Sequence, residues 1–118
     1  MKKELVVVPT TDEDKVHIGH FGEAKYYIII DCRTRTPEAK ITNPYYNLGH
    51  EDESSEKGKR KAILGKLRQH QASKIIMTAM GPGGKEFFEK HGFTVISVKP
   101  GTTIEDAVKT ACQTKVNP

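Results

Sequence analysis

The segment Glu4-Leu5-Val6-Val7-Val8-Pro9 is the stretch of sequence that decides the fold. Its run of apolar, mostly β-branched residues predicts a strand that is buried on both faces at the centre of a sheet. Pro9 has no backbone N–H and is predicted to stop this strand. The other segments of the chain can be placed outward from this central strand.

Two more strands follow with no room for a helix between them. Ala24–Asp31 is apolar and aromatic, and the polar connection that begins at Thr10 is too short for a crossover helix. The second strand is therefore predicted to run antiparallel to the first. A turn at Arg33-Thr34-Arg35 leads to a third strand at about Thr36–Thr42, where Pro37 indicates a sheet edge.

The second half of the chain alternates helices and strands. We predict a helix from about Ser55 to Gln71, a strand at Lys74–Ala79, a turn at Met80–Gly84, a helix at Lys85–His91, a strand at Phe93–Val98 and a last helix that begins near Thr103. The order βββαβαβα predicts one α/β domain over residues 1–118, in which the first, fourth and fifth strands are parallel. The loops after these three strands then share the edge at which open α/β sheets bind ligands.

The composition, with 36% hydrophobic and 29% charged residues, predicts a globular protein. No apolar run reaches the roughly 20 residues that span a bilayer, and no signal peptide is recognisable, so we expect a cytoplasmic protein without a membrane partner. Cys32 and Cys112 are then predicted to remain thiols packed in the core. The net charge of +4 favours anionic partners, but no aromatic residues interleave the lysines of the first helix, so nucleic acid is not an expected partner.

The chemically richest segment is His17-Ile18-Gly19-His20-Phe21-Gly22, which follows the central strand at the predicted ligand edge. Imidazoles bind borderline metals, and glycines allow the backbone to approach a ligand closely. His20 is the preferred metal ligand, because Phe21 and Gly22 beside it can anchor the loop. His17 is the second candidate.

The turn Met80-Gly81-Pro82-Gly83-Gly84 is another candidate element, because it precedes a predicted helix. Free backbone amides and the positive end of the helix dipole can bind an anion there. An ordinary tight turn explains the same glycines equally well. The turn matches neither a Walker loop nor a dinucleotide-binding motif, and Met80 could line the pocket as a soft contact.

Three segments, combined with the predicted strand order, resemble those of a known family. They are His20-Phe21-Gly22-Glu23-Ala24, Asn43-Pro44-Tyr45 and Met80-Gly81-Pro82-Gly83. The chain resembles the dinitrogenase iron-molybdenum cofactor biosynthesis family, of the NifX type and the carboxyl-terminal domain of NifB, from Leu5 to about Ala111. This resemblance implies a ribonuclease H-like three-layer α/β/α fold whose mixed five-stranded sheet has the order 3-2-1-4-5, with strand 2 antiparallel.

The resemblance also implies a non-catalytic binding or carrier protein for an iron-sulfur or iron-molybdenum type cofactor or its precursor. Its partners would be cofactor assembly or acceptor proteins, and the two cysteines match no motif of the family. The candidate cofactor-binding residues are His20, which would be the metal ligand, and His17, Phe21, Gly22, Met80, Gly81, Gly83 and Gly84.

Two other functions remain open on the residues alone. A small anionic metabolite or a nucleotide could fill the same crevice. The least expected function is a metal-dependent nuclease, which would use Asp12, Asp14 or Asp31 although the central strand carries no carboxylate. The chain is expected to be a monomer or a weak homodimer.

Overall fold

The computed structural model of the protein describes residues 4–18, 21–43, 62–78 and 82–113. Its five strands are β1 (Leu5–Thr10), β2 (Tyr26–Asp31), β3 (Pro37–Thr42), β4 (Lys74–Met77) and β5 (Thr94–Ser97). Helix α1 includes residues 62–69, and it is followed by α2 (Pro82–Lys90) and α3 (Ile104–Gln113). The strands form one mixed sheet of order β3-β2-β1-β4-β5.

The directions of the strands are those predicted. β1 is antiparallel to β2 and parallel to β4, β2 is antiparallel to β3, and β4 is parallel to β5. The chain thus has the ribonuclease H-like arrangement, and β3, which begins at Pro37, occupies an edge of the sheet as expected.

Two hydrophobic layers cover the sheet because successive side chains of a strand point to opposite faces. In one layer Val7 and Ile75 belong to the same buried cluster as residues of α1 and α2. In the other layer Val6 and Ile76 cluster with residues of α3. Every residue of β1 is buried, which confirms it as the central strand.

β1 does not stop at Pro9, contrary to the prediction. Its pairing with β2 continues to Thr10, whereas its pairs with β4 end at Val7 and Ile75. The carbonyl of Pro9 accepts a hydrogen bond from the amide of His17 at 2.7 Å, so the polar backbone of Pro9 faces away from β2 and its missing N–H costs that pairing nothing. Proline therefore ends only the parallel ladder. We call the interval between residues 8–10 and 76–78, which lies beyond the last described β1–β4 pair, the β1–β4 fork.

The helices differ from prediction mainly at their ends. α2 begins at Pro82 and not at Lys85, because proline is favoured in the first helical position; Gly83 and Gly84 therefore lie in its first turn. α3 begins after Thr103, whose hydroxyl accepts the amide of Asp106 at 3.2 Å. The predicted start of the first helix near residue 55 lies outside the described residues. Within the described ranges, no helix is both long enough and apolar enough to pass through a membrane.

The prediction that the cysteines are thiols is wrong. Cys32, just after β2, and Cys112, in the last turn of α3, form a disulfide with their Cα atoms 5.4 Å apart. They are separated by 80 residues in the sequence, and they meet because α3 runs back along the sheet to the end at which β2 finishes.

A buried lysine holds the same end of α3. The side chain of Lys74 is fully buried, its Nζ donates to the carbonyl of Ala111 at 2.8 Å, and it lies 3.6 Å from the carboxylate of Glu4. A cation at the carboxyl end of a helix is favoured by the helix dipole. The disulfide and Lys74 together attach the end of α3 to the amino edge of β1 and β4.

Reduction of the disulfide is expected to lower the free energy of unfolding by about 2–4 kcal/mol, because a cross-link over so long a segment restricts the unfolded chain. Urea denaturation with and without a dithiol reductant measures this difference. A Cys32→Ala/Cys112→Ala double variant is the control, and the reductant should leave its transition unchanged. Two free thiols in the denatured, unreduced protein would contradict the disulfide.

Candidate functional site

The loop that follows β1 crosses the β1–β4 fork. The amide of His17 donates to the carbonyl of Pro9 in β1, and the hydroxyl of Thr78, directly after β4, donates to the carbonyl of His17 at 2.7 Å. One residue of the loop thereby contacts the ends of both strands. The strand order changes direction at this point, and ligands of open α/β sheets bind at such places.

The imidazole of His17 is turned into its own loop. Its Nδ1 atom lies 3.0 Å from the hydroxyl oxygen of Thr11, and its Nε2 atom is shielded from solvent. The next residue, Ile18, is 61% exposed. His17 therefore lies at the predicted edge, while its ring nitrogens face the protein.

The same loop is attached to the start of α3. The amide of Val16 donates to the carbonyl of Thr102 at 3.0 Å, and the amide of Ile104 donates to the carbonyl of Asp14 at 2.9 Å. The loops after β1, β4 and β5 thus meet at one edge, as the strand order predicted.

A side-chain cap shapes the first turn of the loop. One carboxylate oxygen of Asp12 accepts the amides of Asp14 and Lys15, each at 2.9 Å. The amides of Lys15 and Asp14 stabilise the ionised carboxylate and hold the pKa of Asp12 below its ordinary value. The buried hydroxyl of Thr10 donates to the carbonyl of Lys15 at 2.7 Å, so the turn is fixed from both sides.

The far end of the histidine loop is anchored in the core. Phe21 begins a short 3-10 turn, Phe21–Glu23, and its buried ring lies 4.9 Å from that of Tyr27 and 5.0 Å from that of Phe88, measured between centroids. The hydroxyl of Tyr27 donates to the carbonyl of Phe21 at 2.7 Å. Phe21 is therefore the loop anchor that the sequence suggested.

Asn43 completes this anchor, although sequence reasoning gave it no role in the site. Its side-chain amide donates to the carbonyl of Ala24 at 2.7 Å and lies 3.4 Å from the hydroxyl oxygen of Tyr27. The sequence could have indicated a role for Asn43 through its place in the Asn43-Pro44-Tyr45 segment. Tyr27 carried no signal, because a tyrosine in an apolar strand is expected to be a packing residue.

The structure places part of the predicted site. His17, Phe21 and Gly22 lie in the loop after β1, and Gly83 and Gly84 lie in the first turn of α2. Amides in the first turn of a helix have no partner within the helix and can bind an anion. His20, Met80 and Gly81 lie outside the described residues.

The acids considered for a nuclease do not converge. Asp12 follows the carboxyl end of β1, whereas Asp31 pairs with Leu5 at the amino end of that strand, about 17 Å away at the usual rise of a strand. One oxygen of Asp31 accepts the amide of Arg33 at 2.8 Å. Among the side chains that the structure describes, no group of three or more His, Cys, Asp or Glu could hold a metal ion.

The sequence matches a family model described as dinitrogenase iron-molybdenum cofactor, over residues 2–114. The chain belongs to this family. The family recognised from the motifs is thereby confirmed, and its description associates it with the cofactor of dinitrogenase. No curated protein matches the sequence significantly.

Solved structures share the fold of this family member. The apo form of the orange protein from Desulfovibrio gigas is 20% identical, with a TM-score of 0.70 over 92% of this chain and 86% of that one. A candidate dinitrogenase from Methanocaldococcus jannaschii is 16% identical, with a TM-score of 0.52 over 84% and 79% of the two chains. Likeness at such identities shows the fold alone.

In this family member neither cysteine is available to a cluster at the carboxyl edge. Both form the disulfide, which lies beside the amino end of β1. Thiolates are the usual ligands of iron-sulfur clusters. Any cofactor held at the carboxyl edge must therefore be bound through imidazole, backbone amides and other side chains.

Removal of the Tyr27 hydroxyl is expected to loosen the Phe21 turn. A Tyr27→Phe substitution should lower the free energy of unfolding by about 1 kcal/mol, because a buried carbonyl loses a donor. Urea denaturation measures the loss, and NMR amide shifts should change at residues 21–24. Tyr26→Phe, at a partly exposed neighbouring position, is the matched control; equal effects of the two substitutions would contradict a specific role.

The cap of Asp12 is expected to open in acid. Because its pKa is lowered by backbone amides, the cap stabilises the loop fully above the ordinary aspartate pKa of about 3.9 and is lost as the pH falls through the lower folded value. NMR titration of the Asp12 carboxyl carbon, followed with the Asp14 and Lys15 amides, measures this. Asp12→Asn should abolish the acid-range shift of both amides, and titration of Asp12 at or above the ordinary value would exclude the cap.

Proposed function

We propose that the protein is a non-catalytic binding or carrier protein for an iron-sulfur or iron-molybdenum type cofactor or its precursor. The observation that carries this proposal is the placement of the family's histidine loop. The two described ends of the loop are fixed, His17 at the β1–β4 fork and Phe21 in the core, and a sheet of this topology binds ligands at its carboxyl edge.

The proposed metal ligand is His20, which stands between these two fixed points in the sequence. Phe21 and Gly22 fix the loop, and His17 contributes to its position. Gly81, Gly83 and Gly84 would offer backbone amides, and Met80 a soft contact. Amides and a helix N-terminus suit an anionic cluster.

The available donors fit a cofactor that arrives complete. A cluster brings its own sulfides, and one imidazole can supply an exchangeable bond to it. Because neither cysteine offers a thiolate, the chain lacks the usual ligands with which a protein builds an iron-sulfur cluster. Reversible binding suits transfer between cofactor assembly and acceptor proteins, which we propose as its partners.

The proposed state is a monomer or weak homodimer in the cytoplasm. If reducing conditions there opened the disulfide, both thiols would still lie beside the amino end of β1, away from the histidine loop.

A second candidate function is the binding of a small anionic metabolite or nucleotide. The first turn of α2, with Gly83 and Gly84, and the net charge of +4 favour an anion at the same edge. This function requires no metal. The anion-binding function does not depend on His20, because an imidazole is not needed when amides hold the anion. The cofactor carrier does depend on it.

Cofactor loading tests the first proposal. Protein purified anaerobically from its host should contain iron and sulfide, and His20→Ala should lower affinity for a supplied cluster by at least about tenfold, because outer contacts alone change metal affinity to that extent. Metal and sulfide analysis with a spectroscopic titration measures both. His70→Ala, an exposed position after α1, is the control and should bind like the wild type.

Three outcomes separate the functions. Protein that takes up no cluster, or takes it up equally well without His20, contradicts the carrier. Metal-free protein that binds phosphate or a nucleotide supports the anion-binding module. Metal-dependent cleavage of nucleic acid that is lost in Asp12→Asn would establish the nuclease.

A further inference from the structure

Backbone groups at the β1–β4 fork need hydrogen-bond partners that the β1–β4 ladder does not supply. Both strands extend beyond their last pair, Val7 and Ile75, and Pro9 has no N–H with which to continue the parallel ladder. Buried backbone groups at such a separation require other partners. The carbonyl of Pro9 finds its partner in the amide of His17, and the hydroxyl of Thr78 in turn donates to the carbonyl of His17.

His17 connects the two sides through its backbone. Its amide donates toward β1, to Pro9, and its carbonyl accepts from the Thr78 hydroxyl at the end of β4. The histidine loop therefore has two fixed points: His17, held between the strands, and Phe21, held by Tyr27. A shift of either point would displace the short segment between them.

The two histidines of the loop then have different roles. The Nδ1 atom of His17 contacts Thr11 and its Nε2 atom is shielded from solvent, so both ring nitrogens face protein atoms. We propose that Thr78 is a positioning residue for the ligand edge and that His17 acts as its structural partner, not as a metal ligand. This inference rests on the proposed function for the identity of what binds there.

Substitution of Thr78 tests the positioning role. Thr78→Val keeps the shape and removes the donor, and it should weaken binding of a preformed [4Fe-4S] cluster, supplied with small thiolate ligands, by about five- to tenfold, the effect of one lost hydrogen bond. Thr78→Ser keeps the hydroxyl and should bind like the wild type. Lower stability in urea with unchanged cluster affinity would show a merely structural role and overturn the proposal.

The substitution His17→Asn tests the second part of the proposal, that His17 is not a metal ligand. Asn can place a polar atom near the position of Nδ1 and keep the contact with Thr11, whereas Gln matches the position of Nε2. His17→Asn should retain cluster affinity within about twofold, since a peripheral hydrogen-bonded group is preserved. A loss in His17→Asn as large as that in His20→Ala would identify His17 as a ligand.

NMR of the cluster-free protein separates this inference from the proposed function. Thr78→Val should shift the amide resonances of His17 and Ile18 and accelerate hydrogen exchange of the His17 amide. Unchanged exchange would overturn the connection across the fork. If the wild-type protein takes up no cluster, the proposed function fails, and the NMR result alone decides whether Thr78 holds the loop.

Discussion

The structure depends on how the buried strand β1 finds hydrogen-bond partners for its backbone N–H and C=O groups on both of its sides. β1 pairs with β2 along its whole length but with β4 over only two residues. A buried strand cannot leave its polar groups unpartnered, so the loop after β1 folds back and supplies them. The position of the candidate site follows from this requirement, because the same loop contains His17 and continues to Phe21.

Much of the fold could be predicted because its signals are local. The valine run of β1, the aromatic second strand and Pro37 at an edge each follow from the residues themselves. The effect of Pro9 on strand pairing could be predicted only in part. That proline ends a ladder is a local rule, but which of two neighbouring ladders it ends depends on the direction in which its backbone faces, and this is known only once the sheet is assembled.

The contacts at the amino edge could not be predicted. Cys32 and Cys112 lie 80 residues apart, and nothing near either residue indicates the other. Lys74 sits in a segment that otherwise forms an apolar strand, and its partner, the carbonyl of Ala111, belongs to another element. Equally, the sequence ranked His17 second to His20 as a ligand, but only the fold shows that the ring of His17 is turned into its own loop.

The described contacts at the two edges of the sheet differ in kind. The amino edge is held by a disulfide and a buried lysine, whereas the described connection across the β1–β4 fork at the carboxyl edge is made by hydrogen bonds of His17. Ligand-binding segments belong to the less stable parts of a fold, because they must adjust while the core does not. α3 runs from one edge to the other and keeps the two in register. The covalent and buried-charge contacts therefore lie at the edge opposite the candidate site.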